Sequence, residues 1–73
     1  MKNLQDLQKG QSGIVHKVHG SGPLKRRFHD MGIVAGTTIE FVKVAPLGDP
    51  IQIKVKGVQM SIRKKDAKDI ELV

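Results

Sequence analysis

The chain has 73 residues, no cysteine, and 13 Lys and Arg against 7 Asp and Glu, a formal net charge of +6. Such a length reads as one domain, 1–73, burying roughly 60% of its unfolded surface, and the lack of cysteine excludes a disulfide framework or a thiolate metal site. No apolar run approaches a bilayer span, and Met1-Lys2 leads into Asn3 and Gln5 rather than an apolar signal region.

Leu4 and Leu7 are three apart behind Asn3, a residue suited to an N-cap. This predicts a single helical turn that tucks two leucines against the core. Lys9 to Gly13 reads as a loop with two glycines. Ile14 to His19 is β-branched and reads as the first strand, but Ile14 and Val15 are adjacent, so the inward face stays open. Pro23 suits a first helical position, since its missing N–H would be unpaired there anyway. Leu24, Phe28 and Met31 fall at i, i+4 and i+7, one stripe of a helix. Gly32 can take the left-handed conformation that ends it. The predicted element is a short basic helix of about three turns, followed by an Ala35–Gly36 turn into a second strand, Thr37 to Val44. There Ile39 and Phe41 share one face.

Ala45 to Pro50 holds two prolines, which bar it from the middle of a sheet, and an apolar Leu47 on what should be surface. Ile51 to Ile62 carries the clearest pattern. With Lys56-Gly57 as a two-residue turn, Val55 faces Val58, Ile53 faces Met60 and Ile51 faces Ile62, which puts six apolar side chains on one face. Lys at the first turn position is a poor match to the positive φ a primed turn wants, yet the register outweighs it. Arg63 to Asp69 is a polar turn, part helical, with Ala67 inward, and Ile70 to Val73 is a last short strand. Five short strands with one helix between the first two predict a mostly β fold, a small SH3-like barrel. The alternative is an open α+β sheet with the helix over one face.

The residues hold no nucleophile motif, no carboxylate pair with a reason to share a site, and no P-loop spacing. An interior this small also leaves no substrate cavity. This argues for no catalytic residue and against an enzyme. His16 and His19, three apart on a strand, should point to opposite faces, so with His29 they read as solvated imidazoles rather than metal ligands. The positive excess favours an anionic partner: nucleic acid, an anionic membrane face or an acidic protein surface. Lys25-Arg26-Arg27 and Arg63-Lys64-Lys65 are two basic triplets. The absence of Tyr and Trp disfavours single-stranded nucleic acid, which needs stacking platforms.

Several of these segments together resemble the FeoA family, the small ferrous iron transport protein A of bacteria. They are Arg26-Arg27-Phe28-His29-Asp30-Met31-Gly32, Ala35-Gly36-Thr37, Ala45-Pro46-Leu47-Gly48-Asp49-Pro50, and Met60-Ser61-Ile62-Arg63-Lys64 with Ala67 and Ile70. Leu4, Leu7, Gly10 and Gly13 also fit. Phe28 stands where the family usually has leucine, and Ala35 where it usually has proline.

The resemblance implies an SH3-like fold and no enzymatic activity, cofactor or small-molecule substrate. It also implies a cytoplasmic accessory role in ferrous iron uptake, reaching the inner face of the membrane. The implied partner is the membrane ferrous iron transporter with its cytoplasmic GTP-binding domain. The expected partner-binding residues are Leu24, Lys25, Arg26 and Arg27 on the helix, and Pro46, Leu47 and Gly48 in the loop. The cations would meet acidic groups or anionic lipid heads, and Leu47 would be an apolar anchor. Two other expectations stand beside this one: a nucleic-acid-binding SH3-like barrel, and the detached C-terminal domain of a metal-dependent repressor. The second is ranked last because the chain opens at Met1 and closes neatly at Val73.

Overall fold

The structure, a computed structural model, describes residues 2–20 and 22–73. Asn3 caps a 3-10 turn, Leu4–Asp6, by accepting the Gln5 N–H at 2.8 Å, while Asp6 accepts the Asn3 N–H at 2.9 Å. This reciprocal capping box satisfies two otherwise orphaned donors and delivers Leu4 and Leu7 to the core. The remaining elements are β1 (Ser12–Val18), α1 (Gly22–Asp30), β2 (Thr38–Val44), β3 (Ile51–Val55), β4 (Val58–Ile62), α2 (Lys64–Ala67) and β5 (Ile70–Leu72). The strands form one antiparallel sheet in the order β4-β3-β2-β1-β5.

The β3–β4 hairpin has the register the alternation dictates, with Val55 opposite Val58, Ile53 opposite Met60 and Ile51 opposite Ile62. Its turn is the primed kind: Lys56 has φ 52° and Gly57 φ 81°. Five of the six apolar side chains reach the core or its edge, but Val58 remains 58% exposed. β4 is an edge strand of the sheet, and Val58 sits at its turn end.

The C-terminus of α1 is locked by a Schellman motif. The Gly32 N–H donates to the His29 carbonyl at 3.0 Å and the Ile33 N–H to the Phe28 carbonyl at 2.9 Å, with Gly32 at φ 87°. The hydrophobic contact that goes with this motif joins Phe28 and Ile33, both buried in the core. The Thr37 hydroxyl donates to the Gly32 carbonyl at 3.1 Å, tying the helix end to the start of β2. Within β1, Val15 is buried and Ile14 is half exposed, which settles the face left open by their adjacency.

The architecture is mostly β and SH3-like, as the strand count predicts, but the ring of strands is not closed by hydrogen bonds. β4 and β5 do not pair with each other; α2 carries the chain between them. The outer side of β5 is covered by the N-terminal segment, through an Asn3–Glu71 bridge and a Leu72 N–H to Lys2 carbonyl bond of 2.7 Å. The outer side of β4 has no strand partner among the described residues.

Candidate partner-docking surface

Residues of α1 face three directions. Phe28 is buried and Leu24 and Met31 are half-buried against the core, so the helix is anchored along the stripe its spacing predicts. Lys25, Arg26 and Arg27 are exposed. Leu24 and Arg27 line a groove of about 440 Å³ between the helix and the end of β4, shared with Phe28, Met31, Ser61, Ile62 and Pro50. Lys25 lies on the opposite flank with His16, His29, Ile33 and Val34 around a cavity of about 250 Å³. Arg26 borders a third depression with Pro23 and Asp30.

The 45–50 loop is held at several points. The Gly48 N–H donates to the Ala45 carbonyl at 2.8 Å across a Pro46-Leu47 turn, the Ala45 N–H to the Pro50 carbonyl at 3.0 Å, and the Lys64 N–H to Asp49 Oδ1 at 2.9 Å. Leu47 is therefore presented at a constrained tip with 96% of its surface exposed. A rigid apolar tip loses little conformational entropy on docking. Of the residues expected to act together, Leu24 and Arg27 share a groove with the end of this loop at Pro50. Pro46, Leu47 and Gly48 line none of the three depressions around α1.

His16 and His19 do not point to opposite faces as strand periodicity predicts. The β1–β5 register shifts between Val15 and Lys17, a bulge that resets the alternation, and His19 lies just beyond the strand. Both imidazoles approach Glu71: His19 Nε2 is 2.6 Å from Oε1 and His16 Nε2 3.8 Å from Oε2. The hydrogen bond from His19 holds the Glu71 carboxyl below its ordinary value. Partial desolvation opposes this, and the nearby charge of His19 and His16 adds to it. This cluster and the β4 side of the groove, including the Arg63–Asp66 pair at 2.9 Å, were the features sequence reasoning missed. The Arg63/Asp66 spacing of three was a readable signal; the bulge left none.

These features define a small SH3-like domain whose exposed chemistry is a cationic helix and a single apolar side chain, Leu47, on a hydrogen-bonded loop. The FeoA domain model matches residues 2–73. The chain belongs to the FeoA family. It is 36% identical over 69 residues to an Fe(2+) transport protein A/Fe(2+) transporter FeoB fusion protein of Porphyromonas gingivalis. That match covers 94% of this chain and spans only 8% of the relative's length. The solution structure of iron(II) transport protein A from Clostridium thermocellum superposes with a TM-score of 0.91 at 38% identity, covering 97% of this chain and 44% of that one. Zinc-complexed FeoA of Stenotrophomonas maltophilia, described as a procaryotic SH3 domain protein, gives 0.86 at 25% identity, covering 100% and 91%. A manganese-dependent transcriptional repressor shares the fold at 18% identity, with a TM-score of 0.87 over 99% of this chain and 40% of its own.

Proposed function

We propose that this chain is a small, non-enzymatic accessory protein of bacterial ferrous iron uptake. It acts in the cytoplasm, at the inner face of the membrane, by docking on the ferrous iron transporter that carries a GTP-binding domain. The observation that carries this reading is the Porphyromonas gingivalis relative, in which the two sequences form one polypeptide. Fusion replaces a bimolecular encounter by an intramolecular one at high effective concentration, which serves two parts that must meet. The charge of +6 and the exposure of Lys25, Arg26, Arg27 and Leu47 fit a contact with acidic protein groups and neighbouring anionic lipid heads. Leu24, Pro46 and Gly48 complete that surface.

Association with the transporter's cytoplasmic domain tests it, by calorimetry on wild type, Arg26→Glu and Leu47→Ala. Each substitution should weaken binding by about tenfold, the worth of one interfacial charge or one apolar anchor. Unchanged affinity in both would mean a different surface. Tight oligonucleotide binding with a steep salt slope would instead favour the nucleic-acid reading.

A further inference from the structure

The outer edge of β4 leads into the groove beside α1, which it meets at Ser61 and Ile62. In a hairpin closed by a two-residue turn, Val55–Val58, Ile53–Met60 and Ile51–Ile62 are the hydrogen-bonded pairs. The peptide N–H and C=O groups of Gln59 and Ser61 therefore project away from β3, and no strand pairs with them among the described residues. At the Ser61–Ile62 end of this edge lies the groove of about 440 Å³, with Leu24, Phe28, Met31 and Ile62 in its apolar lining. Unpaired strand edges are templates for an incoming strand. The N-terminal segment covers β5, while no strand covers β4 among the described residues.

Charge decides what kind of strand fits. Arg63 and Asp66, both in the groove lining, offset each other at 2.9 Å. Arg27 also lines it and makes no ion pair among the described residues. The basic triplet that includes it is exposed on α1, and the whole chain is +6. The groove is thus apolar inside and cationic at its helical rim.

We infer that this groove receives an extended acidic segment of the partner protein, which adds to β4 as a further strand, places alternate apolar side chains against Leu24, Phe28 and Met31, and sets a carboxylate on Arg27. Main-chain bonds to Gln59 and Ser61 supply part of the affinity, and the groove and Arg27 supply the selectivity. This inference rests on the docking role proposed for the α1 face and specifies how a partner engages it.

The test uses ¹⁵N-labelled protein titrated with a heptapeptide of alternating glutamate and valine, with a lysine–valine peptide as control. Amide shifts should gather at Gln59, Ser61 and along α1, the lysine peptide should fail to bind, and Arg27→Glu should weaken binding about tenfold. Shifts confined to the β1–β5 face, equal binding of the two peptides, or no binding would overturn the inference. Only one alternate set of peptide N–H groups can face β4. Two versions of the acidic peptide, N-methylated on one set or the other, should thus differ in affinity by tenfold or more, and equal affinities would rule out strand pairing without altering the protein. Ser61→Pro removes an outward donor that an edge strand can spare, and it should weaken association with the transporter's cytoplasmic domain. If Ser61→Pro leaves that association intact while Arg26→Glu weakens it, the docking role survives and the strand-addition inference falls. If neither substitution matters, both fall.

Discussion

Gly13 has a neighbour that leaves no room for a side chain. A Cβ there would lie 2.7 Å from Cδ1 of Leu72, whose own side chain is fully buried. Gly13→Ala should destabilise the protein by about 1–3 kcal/mol, the usual cost of overpacking, in urea or thermal denaturation. Lys56 poses the opposite case. Its φ of 52° places a non-glycine residue in the left-handed region, so Lys56→Asn should stabilise by about 0.5–1 kcal/mol, since asparagine tolerates that conformation better. Glu71 responds to pH. His19 and His16 lower its pKa in the folded state, so its contribution is fully present above the ordinary carboxylate value of about 4.3 and is lost as pH falls through the lowered one. The stability difference between wild type and Glu71→Gln should therefore be level at pH 5–6 and shrink in chemical denaturation below pH 4. A difference that grew on acidification would contradict the His19 contact.

At the scale of elements, legibility followed the range of the signal. The α1 stripe, its Gly32 cap and the hairpin register each depend on residues within about a dozen positions, and all three are seen as the sequence predicts. The bulge at His16 depends on β5, more than fifty residues away, and strand periodicity misplaced His16 and His19 for that reason. The 440 Å³ groove likewise joins α1 to β4 across the chain; its helical wall was foreseeable, its strand edge was not. One predicted turn carries an improvable residue. The Thr37 N–H donates to the Val34 carbonyl at 3.0 Å with Gly36 at φ 89°, the pattern of a type II turn with Ala35 in the position proline favours. Ala35 is exposed, so Ala35→Pro should raise stability by about 0.4–1 kcal/mol through the unfolded state, read as a higher melting temperature.

For the whole molecule, a narrow apolar core holds a cationic helix and an exposed Leu47 in fixed relation. The sheet supplies the rigidity, since all five strands contribute inward residues to the core that holds Phe28 and Ile33. The surface supplies the charge. Because that charge is solvent-exposed, association with an acidic partner should weaken steeply between low and physiological salt, as screening shortens its reach to about 8 Å. Titration of ¹⁵N-labelled protein with the transporter's cytoplasmic domain, followed amide by amide, is the sharpest test of this docking surface. Shifts should concentrate on α1, the loop at Leu47 and the β4 edge, and Arg26→Glu with Leu47→Ala should abolish them. Shifts centred on His16, His19 and Glu71 instead, or a spectrum the transporter domain leaves unchanged, would contradict this surface.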